Sequence, residues 1–183
     1  FDAGESEDCV NYVSDSEFSF NDMGGGSPSY FQNQCVKPLG DKGLLSGNFE
    51  LEFDLSDVKG VNNDNNTRVG VALRYAAIES PYKADTFGMT HVTNDDGSTN
   101  GANTYDYRRF EWSDGGHTYW DAKGNTTSSM GTEVNGHYKL VRTVDGNTNT
   151  LELYFEGEKV LTATNDYVGD YHILFGANIA SGK

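Results

Sequence analysis

Apolar and polar residues alternate with a period of two along much of this chain, and the clearest instance lies at 136–163. It reads Gly136-His137-Tyr138-Lys139-Leu140-Val141-Arg142-Thr143-Val144, then Asp145-Gly146-Asn147, then Thr150-Leu151-Glu152-Leu153-Tyr154-Phe155. Glu156-Gly157 follows, and Glu158-Lys159-Val160-Leu161-Thr162-Ala163 completes the stretch. Leu151, Leu153 and Phe155 fall on one side of a strand, and Glu152, Tyr154 and Glu156 on the other. Asp-Gly and Glu-Gly can reverse the chain within a few residues, because glycine accepts positive φ without steric cost. The pattern predicts an antiparallel three-strand meander.

The same alternation recurs at 44–55, with Phe49, Leu51, Phe53 and Leu55 opposite Glu50, Glu52 and Asp54. Further strands are predicted at 68–77, 86–93, 105–112, 117–122 and 172–177, with short candidates at 9–13, 17–20 and 30–35. Segments 58–67, 94–103 and 124–132 read as polar loops, rich in side chains that compete with backbone pairing. Roughly ten short strands separated by Gly, Asn and Asp turns, with no helical period, imply an all-β chain. The expected architecture is an antiparallel two-sheet β-sandwich or jelly roll. The 183 residues contain no internal repeat or linker, so one domain spanning 1–183 is expected, with 1–43 as an irregular N-terminal arm.

Charge narrows the partners. Thirteen basic residues against 28 acidic ones give a net −15, with an isoelectric point near 4.4. That field repels phosphate backbones and anionic lipid, so nucleic acid and membrane surfaces are set aside. It also disfavours polyanionic glycans unless a cation intervenes. There is no run of eighteen apolar residues, which excludes a membrane span. No signal-like start is present either, and the expectation is a mature exported chain or a piece of a larger one.

Cys9 and Cys35 are too few for a structural zinc site and are not a CxxC pair. A disulfide in a secreted or cell-surface protein is the better reading. Closing that loop would restrict the unfolded chain by about 3–4 kcal/mol and pin the arm. Asn65-Asn66-Thr67 and Asn125-Thr126-Thr127 have the form of glycosylation acceptors and agree with export.

Leu44-Leu45-Ser46-Gly47-Asn48-Phe49-Glu50-Leu51-Glu52-Phe53-Asp54 resembles the early strand of concanavalin A-like (laminin G-like) domains. So does the meander from His137 to Val160, and the ending Ile173-Leu174-Phe175-Gly176-Ala177-Asn178-Ile179-Ala180-Ser181-Gly182 is similar to their last strand. The resemblance implies the sandwich fold and leaves activity open, since such domains serve as lectins, carbohydrate-binding modules, adhesins, glycosidases, lyases and structural proteins.

Three constellations could carry function. Glu50, Glu52 and Asp54 would line one strand face roughly 7 Å apart, whereas retaining glycosidases hold two carboxyls at roughly 5–5.5 Å. Jelly-roll endoglucanases order their acids Glu-x-Asp-x-Glu or Glu-x-Asp-x-x-Glu; here the order is Glu-x-Glu-x-Asp, and no Trp flanks it. Tyr105-Asp106-Tyr107-Arg108-Arg109-Phe110-Glu111-Trp112, with Tyr119-Trp120-Asp121 after it, is the densest aromatic and polar cluster. Flat aromatics stack on the C–H face of a sugar while Asp and Arg meet its hydroxyls, so Tyr105, Asp106, Tyr107, Arg108, Arg109, Trp112, Tyr119 and Trp120 are the candidate glycan contacts. Asp64, Asp95, Asp96 and Asp145 sit in loops offering the hard oxygens that Ca2+ prefers, though no EF-hand pattern is complete. His91, His117, His137 and His172 lack ligand spacing, and no serine elbow or phosphate loop is present. The expected function is extracellular, non-catalytic glycan binding. The alternatives are a subunit of an extracellular filament, surface layer or adhesin, self-associating through the arm, and a glycan hydrolase or lyase.

Overall fold

The computed structural model describes residues 5–6, 10–14, 16–20, 34–38, 43–56, 58, 68–77, 82–90, 104–113, 116–119, 126–129 and 134–178. The first strands are β1 (Glu5–Ser6), β2 (Val10–Ser14), β3 (Glu17–Phe20), β4 (Gln34–Pro38), β5 (Leu44–Leu45), β6 (Phe49–Leu55) and β7 (Arg68–Tyr75). After them come β8 (Tyr82–Thr90), β9 (Thr104–Ser113), β10 (Gly116–Tyr119) and β11 (Thr126–Ser129). The chain continues through β12 (Gly136–Asp145), β13 (Thr148–Phe155), β14 (Glu158–Asn165) and β15 (Tyr171–Asn178). No α-helix occurs among the described residues, and none there is long and apolar enough to cross a membrane.

Two sheets face each other. The larger has nine strands, ordered β1-β4-β15-β7-β8-β9-β10, with β11 also on β9 and β5 also on β15. The smaller has four, ordered β14-β13-β12-β6, and β2 and β3 form a separate hairpin. Strands β12, β13 and β14 are the meander that the alternation predicts, and β6 pairs antiparallel with β12. Neither sheet closes into a barrel, so the expected all-β two-sheet sandwich is what the chain forms.

Turn chemistry fixes the meander's register. Gly146 opens the β12–β13 loop at φ 58°. The β13–β14 loop places Glu156 at φ 48° and Gly157 at φ 82°, the positive pair that a tight, right-twisted hairpin needs. Glutamate is strained there, and the two bonds it makes to His137 compensate. The Glu156 N–H donates to the His137 carbonyl at 2.9 Å, and Glu156 Oε1 accepts the His137 N–H at 2.7 Å.

Inward positions of both sheets form one core. Val71, Leu73, Phe87, Met89, Tyr105 and Ile173 from the large sheet meet Tyr138, Leu140, Leu151, Leu153 and Leu161 from the small one. Phe53 stacks on Tyr138 with ring centres 5.4 Å apart, and Phe175 meets Phe53 edge-on at 5.1 Å.

The structure redraws several predicted elements. The 44–55 strand is two, broken at Ser46-Gly47-Asn48, where Gly47 takes φ 59°. The 86–93 strand begins at Tyr82, four residues earlier. Part of the expected polar loop at 124–132 is a strand, β11, paired with β9. Cys9 lies outside the described residues, so the Cys9–Cys35 pairing does too; Cys35 stands in β4.

Candidate functional site

Strand β9 carries most of the predicted contacts, and its pleat sends them to opposite faces. Tyr105, Tyr107 and Arg109 are buried between the sheets. Asp106, Arg108, Phe110 and Trp112 occupy the alternate positions, on the outer face of the large sheet. The two faces do different chemistry.

Inside, Tyr107 and Arg109 belong to a polar cluster around Asp85, a carboxylate with no solvent exposure, while Tyr105 packs against Tyr138 and Phe155. Tyr107 Oη donates to Asp85 Oδ1 at 2.7 Å and Tyr75 Oη at 3.4 Å, while Tyr171 Oη and Asn165 Nδ2 (3.0 Å) donate to Oδ2. Arg109 Nε stands 3.5 Å from Oδ1. Groups that can only donate set the polarity of this network. Arg142 Nε donates to Asn149 Oδ1 at 2.9 Å, which turns Asn149 Nδ2 onto Tyr171 Oη (2.8 Å) and Asn165 Oδ1 (3.0 Å). The Tyr167 N–H also donates to Asn165 Oδ1, at 2.9 Å, which turns Asn165 Nδ2 onto Tyr107 Oη (3.0 Å) and Asp85. Arg109 Nη2 donates to Tyr75 Oη at 2.8 Å. Each of the three hydroxyls therefore accepts a hydrogen bond from a nitrogen and donates one to Asp85, where every chain ends.

The electrostatics follow from that arrangement. Burial holds the Asp85 carboxyl above its ordinary value, against the pull of the Tyr171 and Tyr107 hydroxyls, the Arg109 charge and the Tyr75 hydroxyl. Burial, and then the Asp85 charge, drives the Tyr75, Tyr107 and Tyr171 hydroxyls well above the usual phenol range, so they remain protonated donors. Arg142 is buried with its guanidinium 4.6 Å from the Tyr171 ring centre and 5.8 Å from that of Phe49. Its Nη2 donates to the Tyr167 carbonyl at 3.1 Å, and Arg109 Nη2 reaches Asp166 at 3.1 Å. Tyr167 stacks on Tyr75 at 3.5 Å. The cluster thereby ties the turn between β14 and β15 to the end of the sandwich. With its hydroxyls and amides satisfied from within, it acts as a polar keystone of the core, and Arg142 Nη1 and Arg109 Nε are buried in it without a hydrogen bond.

The outer face is built by register. Antiparallel partners share a face, and pairing sets Tyr82, Trp112 and His117 in one cross-strand row. The next row runs His172, Arg74, Ala84, Phe110, Tyr119. Beside it come Leu174, Ala72, Thr86 and Arg108, and then Gly176, Gly70, Gly88, Asp106 and Thr127. Aromatic positions thus gather at the β8–β9–β10 end, next to small residues. Ala72, Ala84, Thr86, Asp106 and Leu174 are buried. Arg108 Nη2 holds Asp106 Oδ2 at 3.1 Å, and its side chain keeps 24% of its exposure. Tyr82 and His117 join the predicted set only through pairing, since both lie outside the aromatic run of β9. Trp120 is outside the described residues.

On the small sheet's outer face, Glu50, Glu52 and Asp54 are exposed and face Lys139 and His137 of β12. Lys139 Nζ meets Glu50 Oε2 at 2.6 Å, His137 Nδ1 meets Asp54 Oδ1 at 2.9 Å, and His137 Nε2 is 3.7 Å from Glu52 Oε2. This is the geometry of a solvated strand face with cross-strand ion pairs. Among the described residues no three His, Cys, Asp or Glu side chains come together so as to hold a metal ion. Asp145 is exposed at the end of β12, and Asp64, Asp95, Asp96, Asn65 and Asn125 lie outside the described residues. Compared with protein-family models and with curated proteins, the chain matches none.

Proposed function

We propose that this chain is an extracellular, non-catalytic glycan-binding β-sandwich whose ligand lies on the outer face of the nine-stranded sheet, at the β8–β9–β10 end. The observation that supports this reading is the cross-strand register. It brings Tyr82, Phe110, Trp112 and Tyr119, from three strands, to adjacent positions on one face, beside Arg108 and Asp106. Rings spaced by a β-sheet form a platform for the C–H faces of sugars, and Arg108, which keeps part of its exposure, offers donors to hydroxyls at its border. Tyr105, Tyr107 and Arg109 are withdrawn from the ligand on this reading, because they serve the core.

Affinity electrophoresis against a panel of soluble glycans tests it. Wild-type protein is expected to be retarded by at least one glycan. Trp112→Ala and Tyr82→Ala are expected to lose about 1–3 kcal/mol of binding each, the scale set by removing an aromatic anchor. Tyr154→Ala, on the opposite sheet, is expected to bind normally. Retardation by no glycan, or equal loss in all three variants, would remove the proposal.

A further inference from the structure

The two margins of the small sheet differ. Its β14 margin is met by β11, where Ser128 Oγ donates to the Val160 carbonyl at 2.7 Å. At the other margin, among the described residues, β6 pairs with β12 alone. Two hydrogen bonds fix which backbone groups of β6 look outward. The Glu156 N–H bonds the His137 carbonyl between β13 and β12, and the Val144 N–H bonds Asn48 Oδ1 at 2.7 Å on the β6 side. Residues of an antiparallel strand bond alternately to its two neighbours, so Tyr138, Leu140 and Arg142 bond to Phe53, Leu51 and Phe49. The N–H and C=O groups of Glu50, Glu52 and Asp54 then point away from β12, three donors and three acceptors along an open edge.

We infer that this edge is a strand-addition site for an extended, basic segment of another protein, whose residues alternate between cationic and apolar. The core is unfinished at the same place: Phe49, Leu51, Phe53 and Leu55 are only partly buried, while Tyr138, Leu140, Leu151 and Leu153 on the next two strands have no exposure. An added antiparallel strand covers them with every second side chain and sets the others opposite Glu50, Glu52 and Asp54. Those three side chains keep 57, 56 and 76% of their exposure. Lys139 and His137 each engage one oxygen, of Glu50 and of Asp54, and Glu52 has His137 Nε2 at 3.7 Å, beyond hydrogen-bond reach. The row therefore keeps acceptor oxygens for an incoming cation. A second copy is disfavoured by like charge. Another β6 sets carboxylate against carboxylate, and residues 1–20, the arm, hold six acidic residues and no basic one. The backbone supplies affinity, and the carboxylate row the choice of partner.

The test is fluorescence anisotropy of a labelled Val-Lys-Val-Lys-Val-Lys-Val peptide, as long as β6, against the full chain, with light scattering alongside. Binding is expected, with slowed hydrogen exchange at the Glu50, Glu52 and Asp54 amides and no change at Phe49, Leu51 and Phe53, already bonded to β12. The peptide with Glu in place of Lys is expected not to bind. N-methylation of the lysine amides, which face β6 in antiparallel pairing, is expected to abolish binding, and N-methylation of the valine amides to preserve it. Glu52→Lys is expected to weaken binding about tenfold, the scale of exchanging an opposite-charge pair for a like-charge one. Glu158→Gln, on β14 at the far margin, is expected to leave it unchanged. No binding of the lysine peptide would overturn the site, as would binding without slowed exchange at the three amides. Equal binding of the glutamate peptide would overturn the basic partner. A dimer with those amides protected before any peptide is added would make the occupant a second copy and overturn the proposal. The exchange pattern of the wild-type chain decides the location even should a variant fail to fold.

Discussion

Asp85 shows how one residue can command an interior. A buried carboxylate is costly unless donors surround it, and here three hydroxyls, an amide and Arg109 do so. Asp85→Asn replaces an acceptor oxygen with an N–H2 that faces donors and strips Arg109 of its buried counter-charge. The expected cost is about 3–5 kcal/mol in urea unfolding. Tyr107→Phe removes a single donor and leaves Asn165 one acceptor short, with an expected cost of about 1–3 kcal/mol. Equal costs for the two would show that Asp85 is not where the network converges. Proton linkage supplies a second check. Burial holds the folded-state carboxyl above its ordinary value, so folding takes up a proton at Asp85 between the unfolded and folded values. Its contribution is fully present below the unfolded carboxylate value and is lost as pH rises through the folded one. Urea midpoints of wild type minus those of Asp85→Asn, followed upward from acid pH, should therefore decline. A difference that grows with pH would mean that the hydrogen bonds outweigh burial.

Strands depend on close backbone approach as well as on side chains, and two glycines mark where. A Cβ on Gly70 would sit 2.1 Å from the Phe87 carbonyl oxygen of the neighbouring strand. Gly70→Ala must therefore push β7 from β8, at an expected cost above about 1–3 kcal/mol, the usual range for overpacking. Gly136 has φ 153°, and a Cβ there would meet Glu156 Oε1 at 2.5 Å and the Phe155 ring at 2.6 Å. Gly136→Ala is expected to lower the thermal midpoint and to increase hydrogen exchange first at the His137 and Glu156 amides, whose bonds close that end of the meander; unchanged exchange there would count against it. The meander was legible because alternation and turn residues agree over 136–163. Residues 82–85 were not, since Lys83 and Asp85 look foreign to a strand until three tyrosines distant in sequence are seen to receive the carboxylate. Strand β11 escaped because Thr126-Thr127-Ser128-Ser129 offers no apolar side; it is held by pairing with β9 and by Ser128 Oγ donating to the Val160 carbonyl at 2.7 Å. The aromatic run of β9 was evident and its period split it correctly into two sets. Which set faces the core depends on the partner sheet, and no local pattern encodes that.

At the scale of the molecule, the excess of acidic side chains acts on folding through salt. Net charge of −15 on a chain of 183 residues is self-repulsive, and compaction brings those charges together, so the folded state is penalised most when salt is scarce. The screening length shrinks from about 30 Å at 0.01 M salt to about 3 Å at 1 M, which relieves long-range repulsion before it touches short ion pairs. Pairs such as Lys139–Glu50 and Lys159–Glu152 are exposed and contribute little whether screened or not. The thermal midpoint is therefore expected to climb as NaCl is raised from about 0.01 M to about 0.5 M, a span over which the repulsion is largely screened. A protein whose stability fell with salt would owe its fold to surface ion pairs instead of to the packed sheets.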